Sequence, residues 1–266
     1  MKKLVLSTLL FTCASSVLAH DPFLAPVVYH TENAQIPVIT SYTESALVPE
    51  YAIKDVKQIQ VLTPNATQEQ VETTLLKSAT VADLVLKDKG TYTIAAQASY
   101  PVKYTQHNKQ WKAFFDMSAE KAKPLAERDY VIPSDFKKTP ELVEIKRYWS
   151  LQSYVTKGET TPVQAVKDAP IQVAFSTHPS QLTAQQDVEL SVQKSGKALA
   201  NAKVEFARKG AEHDDVTELS TDAQGKVKLL FPKAGQYTIH VGEKFDAKQK
   251  AKPTDQHFTF INVEVN

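Results

Sequence analysis

The stretch His257-Phe258-Thr259-Phe260-Ile261-Asn262-Val263-Glu264-Val265 decides the fold class. Apolar and polar residues alternate along it, apart from one slip at Ile261, and β-branched and aromatic side chains dominate, as in a half-buried strand. Lys226-Val227-Lys228-Leu229 shows the same period of two more cleanly. Working outward, segments of this kind recur at residues 36–42, 58–63, 90–98, 148–155, 171–176, 187–193, 203–207 and 236–241. Short strands separated by turn signals, with few long helical stretches, predict an all-β chain built of β-sandwiches.

Residues 102–144 break this rhythm, being rich in Lys, Glu and Ala with Pro124, Pro133 and Pro140 interspersed. They read as a long, partly helical excursion with one short helix over 118–128. The low-apolar stretch 159–170, between Gly158 and Pro170, reads as a linker. It separates an N-terminal sandwich at 20–158 from a C-terminal sandwich at 171–266, the latter close to the roughly 100 residues of one such domain.

The first nineteen residues carry Lys2 and Lys3, an apolar run from Leu4 to Phe11, and the small-residue stretch from Ala14 to Ala19. That order is a secretory signal, with cleavage expected after Ala19, His20 as the new first residue and the periplasm as destination. The run falls short of the roughly 20 apolar residues of a membrane span, so no direct span is expected. Cys13 raises the rival of a lipid-modified start, against which Phe11 and Thr12 are bulkier than a lipobox prefers. It is also the only cysteine, so a chain cut after Ala19 has no disulfide and no thiolate chemistry. Losing Lys2 and Lys3 leaves 29 basic against 30 acidic residues, a balance that gives no support to nucleic-acid binding.

Turn clusters pace the C-terminal half: Gly196-Lys197-Ala198-Leu199-Ala200-Asn201, Thr221-Asp222-Ala223-Gln224-Gly225 and Pro232-Lys233-Ala234-Gly235. This cadence resembles the transthyretin-like and immunoglobulin-like modules of secreted bacterial proteins. The opening Ala19-His20-Asp21-Pro22-Phe23-Leu24-Ala25-Pro26, with Gly90-Thr91-Tyr92-Thr93-Ile94 and Ile145-Lys146-Arg147-Tyr148, is similar to a family of periplasmic proteins. Its members are labelled as components of nickel or cobalt uptake systems, or stand only as a domain of unknown function. The chain departs from that pattern at Pro22, which interrupts the acid-aromatic opening, and at Ala198 and Asn201, which replace a frequent Pro and Gly. The resemblance implies a divalent transition metal as cargo or ligand, nickel or cobalt favoured over copper, iron or zinc. It also implies a membrane metal transporter or outer-membrane receptor as partner.

His20 is the strongest chemical feature, because a terminal histidine offers an α-amine and an imidazole that chelate one cation together. Asp21 could add an oxygen, while Pro22 has no amide hydrogen to lose, which disfavours a planar site of successive deprotonated amides. No zinc-protease spacing or calcium loop occurs, so any metal site must be assembled by folding. His30 and His107 rank first as further ligands because they share the half that begins at His20, while His178, His213, His240 and His257 rank lower. His240 alternates with Ile239 and Val241 and so is expected to face away from the core. The turn His213-Asp214-Asp215 reads as solvated.

No nucleophile elbow or phosphate-cradling loop is present, so the chain reads as a binder rather than an enzyme. Two alternatives stand beside the metal-binding accessory. One is a metal-independent envelope scaffold, for which Trp111, Phe114 and Phe115 supply a candidate surface. The other is a copper oxidase-like protein with a terminal histidine brace, which needs a second histidine close to His20.

Overall fold

The computed structural model describes residues 21–212, 215–243 and 251–266, so the readings made at 1–19, His20, His213 and Asp214 lie outside the described residues. The first strands are β1 (Asp21–Pro26), β2 (His30–Thr31), β3 (Gln35–Thr43), β4 (Gln58–Leu62), β5 (Gln68–Glu72), β6 (Thr74–Leu75) and β7 (Thr80–Val85). Then come β8 (Gly90–His107), β9 (Gln110–Phe114), β10 (Val143–Lys157), β11 (Ile171–Phe175), β12 (Asp187–Lys194) and β13 (Lys197–Ala198). The last are β14 (Lys203–Arg208), β15 (Thr217–Ser220), β16 (Lys226–Leu230), β17 (Gly235–Gly242) and β18 (Gln256–Val265). Each of the ten segments read from the sequence falls on one of these strands, and the fold is all-β.

The strands form three sheets. A four-stranded sheet runs β1-β3-β7-β6, and a second joins β11, β12 and β13, with β16 on the other side of β12. Between them a ten-stranded sheet runs β15-β14-β17-β18-β10-β8-β4-β5, with β2 added to β10 and β9 to β8. This central sheet belongs to both halves of the chain, because β18 pairs in parallel with β10 and antiparallel with β17.

Side chains alternate across a strand, so each face of the central sheet has its own core. On one face Ile94, Ala96, Trp149, Leu151 and Phe260 pack against Leu24, Ile36, Val38 and Leu84 of the β1-β3-β7-β6 sheet. On the opposite face Val204, Phe206, Ile239, Val241, Ile261 and Val263 pack against Val188, Leu190, Val227 and Leu229 of the β12 sheet. Two β-sandwiches thus share one sheet and use opposite sides of it. Residues 159–170 lie on that sheet, with Val166 and Ala169 buried against Ala95 and the Thr161 hydroxyl accepting from the Thr91 amide at 2.9 Å.

The excursion differs from its expected form. β8 continues to His107 and turns through Asn108 and Lys109, both at positive φ, into β9, so the sheet extends into an arm with its own small core of Val102, Tyr104, Val143 and Ile145. A two-residue turn with both central residues left-handed matches strand twist, which is why the hairpin closes here. The helix expected over 118–128 is replaced by 3₁₀ turns at Ala119–Lys121 and Leu125–Glu127. Pro124 sits between them, where its missing amide and ring forbid continuous helix. Arg128 then fixes the path, donating to Lys123 O, Tyr130 O and both oxygens of Asp135. The Arg128 guanidinium in turn holds the Asp135 carboxyl below its ordinary pKa, against the opposing effect of burial.

Candidate functional site

β1 is an edge strand, yet all but its first residue are buried. Pro22 and Pro26 suit an edge, where no ladder partner needs their missing amides. On its free side the Leu24 amide donates to Asn262 Oδ1 of β18 at 2.9 Å, so the strand is fastened across the central sheet as well as to β3. The start of β1 forms one wall of a cleft over the second half of that sheet.

The cleft floor is Glu205, Ala207, Thr238, His240 and Phe260, and the walls are Asp21, Pro22 and Phe23 on one side and Glu44, Ala46, Leu47, Ala211, Glu212 and Val216 on the other. It holds about 50 Å³ of solvent space. The far wall is hydrogen-bonded across the two halves: Gly210 N donates to Ala46 O at 2.8 Å, Ala46 N to Ala211 O at 3.1 Å, and the Ser45 hydroxyl to Glu212 Oε1 at 2.8 Å. Leu47 holds φ at +58° while its side chain packs with Phe23. That backbone costs a leucine about 1–2 kcal/mol, offset here by burial.

Register explains how the floor residues meet. Glu218 of β15 lies opposite Glu205 of β14, Glu205 opposite His240 of β17, His240 opposite Phe260 of β18, and Phe260 opposite Leu151 of β10. These residues form one row on one face. Opposed Glu218 and Glu205 would repel, but Lys203 lies between them, 2.7 Å from Glu205 and 3.3 Å from Glu218. His240 Nδ1 approaches Glu205 Oε2 to 3.2 Å without the alignment of a hydrogen bond, and its ring stacks on Phe260 at 4.3 Å and 10°. Burial works against the Glu205 carboxylate, but His240 and Lys203 outweigh it and hold the pKa below its usual value. For Lys203 burial opposes the charge, and Glu205 and Glu218 raise its pKa nonetheless.

Two half-buried histidines contrast at this point. His178 is satisfied, its Nδ1 accepting from the Ser180 amide at 3.2 Å and its Nε2 donating to Thr161 O at 2.9 Å, within a hydroxyl network of Thr91, Thr156 and Ser180. Among the described residues His240 Nε2 finds no hydrogen-bond partner. Among the described residues, four carboxylates and one imidazole line the cleft, and Lys203, paired with Glu205, offsets one of those charges, so its field is net acidic.

Of the residues singled out from sequence, Asp21 lines this cleft and His30 and His107 do not. His30 lies against Thr156 of β10, whereas β8 runs out to His107 past the Tyr104 and Val143 pairing. The two therefore sit beyond opposite ends of the β10 pairing, roughly 50 Å of strand apart at about 3.3 Å per residue. Among the described residues no three His, Asp or Glu side chains converge in a metal-holding group. His240 faces away from the second core, as its alternation implies, but the first half covers it. Glu205, in Val204-Glu205-Phe206, carried no signal: only register across β14 and β17 brings it to His240.

Fold and cleft define an all-β protein of two sandwiches on a shared sheet, with an acidic, histidine-floored cleft where the halves meet. The chain belongs to the family described as a domain of unknown function, DUF4198, whose model matches residues 17–244. No curated protein matches it. Among solved structures, the chicken CNTN1 FN1-FN3 domains match at 9% identity over 92% of this chain and 100% of that one, with a TM-score of 0.25. Murine CEACAM1b matches at 11% identity over 92% and 99% of the two chains, with a TM-score of 0.21.

Proposed function

We propose that this protein is a periplasmic accessory of a metal uptake system, one that binds a divalent transition metal, nickel or cobalt by preference, and presents it to a membrane transporter or receptor. The observation that carries this reading is the cleft of four carboxylates and one imidazole that opens at Asp21. After cleavage at Ala19, His20 would bring both a terminal amine and an imidazole, a chelating pair suited to these metals. His30 on β2 and His107 at the end of β8 do not line this cleft and are left out of the proposed ligand set. The family assignment is compatible with this function and does not specify it.

Calorimetric titration of protein beginning at His20 with Ni(II), Co(II) and Cu(II) tests the reading. One equivalent should bind, and adding a single residue ahead of His20 should weaken it. Absence of binding by the processed protein would overturn the proposal in favour of a metal-independent scaffold, which should still capture its envelope partner in the presence of chelator.

A further inference from the structure

Arg147, in the stretch Ile145-Lys146-Arg147-Tyr148, has no part in the cleft, and its surroundings differ from those of the other two arginines. Arg128 is buried and both oxygens of Asp135 answer its charge, while Arg208 is exposed and gives Nε to Ala234 O. Arg147 is half-buried, yet among the described residues its guanidinium bonds only to uncharged acceptors. We propose that Arg147 binds the carboxylate of a small organic acid, whose ring or other apolar body rests on Tyr100.

Register builds this site. Tyr100 of β8, Arg147 of β10 and Gln256 of β18 lie side by side in one row, two rows along the same face from Ala96, Leu151 and Phe260. Arg147 Nε donates to Gln256 Oε1 and Nη2 to the Tyr104 hydroxyl, each at 3.0 Å. Both acceptors are buried, Gln256 8% and Tyr104 2% exposed. A guanidinium carries five N–H donors in a fixed fork, and these two bonds occupy one edge of it. The end-on pair, one hydrogen each from Nη1 and Nη2, is left in the arrangement that takes a carboxylate through two parallel bonds. Nη1 makes no hydrogen bond among the described residues and is not one of their buried unpartnered atoms, so solvent reaches it. Because Gln256 and Tyr104 already hold the group in place, little further ordering is needed when a ligand arrives. One unanswered guanidinium balances one negative charge, which suits a monocarboxylate.

The apolar part of the site adjoins this charge. Directly opposed residues on one face have Cβ atoms about 4.5–5.5 Å apart, so the Tyr100 side chain starts beside that of Arg147. Its ring is 51% exposed and stacks on Trp149 at 6.3 Å and 16°, and Tyr42 meets Trp149 edge-on at 5.8 Å and 75°. An exposed ring backed by two others is a rigid platform, on which a flat or apolar body gains contact at low entropic cost. Charge and platform together select an anion with an apolar body over a bare ion or a neutral ring.

NMR titration of the protein with benzoate, and with benzyl alcohol as a neutral counterpart of similar size, tests the proposal. Benzoate should shift the Arg147 side-chain Nε–H and the Tyr100 ring protons together and saturably, and benzyl alcohol should bind at least about 10-fold more weakly. Tyr100→Ala should weaken benzoate about 5-fold, the scale of one aromatic contact. Arg147→Gln should weaken it at least about 10-fold. Should Arg147→Gln not fold, because Arg147 also ties β8 to β18, Arg147→Lys takes its place: an ammonium keeps the charge, loses the fork and must still bind more weakly. Equal affinity for the two probes, unchanged benzoate binding in the Arg147 variant, or shifts that spare Arg147 and Tyr100 would each overturn the assignment. The result is independent of metal binding at the cleft.

Discussion

The central sheet carries one face past two different covers, and its side chains change accordingly. Over the first half the cover is a whole sheet, and the row beneath it reads Ala96, Leu151 and Phe260, all essentially inaccessible. Over the second half the cover is one strand and one loop, and the same row continues as His240, Glu205 and Glu218. The backbone is equivalent throughout. A full sheet excludes water and requires apolar packing, whereas a strand and a loop leave a cleft in which ionisable groups can keep their charges. Phe260 is the boundary residue, since it belongs to the dry core and also supports the imidazole.

Removing that boundary should have the largest effect. Phe260→Ala deletes a ring that is 2% exposed and should cost about 3–5 kcal/mol, read as a lower urea midpoint. Next comes the fastening of the cover. Asn262→Ala leaves the Leu24 amide buried and unpaired, an expected loss of about 1–3 kcal/mol. Hydrogen exchange at Leu24 should accelerate selectively, and uniform acceleration would refute this role for Asn262.

The ionisable half should also reveal itself in pH dependence. Glu205 has a depressed pKa in the folded state, so its contribution is present above the ordinary value of about 4.3 and lost as pH falls through the lower, folded value. Lys203 has a raised pKa, so its contribution is intact below about 10.4 and lost as pH rises through the higher, folded value. Denaturant melts across pH should show both limbs in the parent, with the acid limb shallower in Glu205→Gln. The smallest effect is expected at Lys87, which pairs with Glu69 at 3.2 Å but is 65% exposed. Lys87→Ala should change stability by less than about 0.5 kcal/mol, since water and salt screen such pairs.

Period-two alternation made the strands legible, and the one irregularity in it was informative. The slip at Ile261 arises because β18 is walled on both faces, Phe258 and Phe260 toward the first core and Ile261, Val263 and Val265 toward the second. A strand with no solvent face has no reason to alternate. The short strands β2, β6 and β13 were invisible because two residues carry no period. The helix expected over 118–128 followed composition, and Pro124 with the Arg128 to Asp135 pair outweighed it. Asp21 was singled out for its place next to His20, and it lines the cleft. The pairing of Glu205 with His240 was not, because those residues are far apart in the chain and meet only through the register of β14 on β17.

The parallel pairing of β18 with β10 also orders events in time. Arg147 must wait for Gln256, 109 residues later, before that edge of the first sandwich is closed. Contacts of such long sequence separation are slow to form, and until they do an unpaired strand edge and an apolar face stay open to other chains. A molecule emerging from its N-terminus can therefore complete neither core until β18 has been delivered, which makes Gln256–Val265 the step that ends its vulnerability to aggregation.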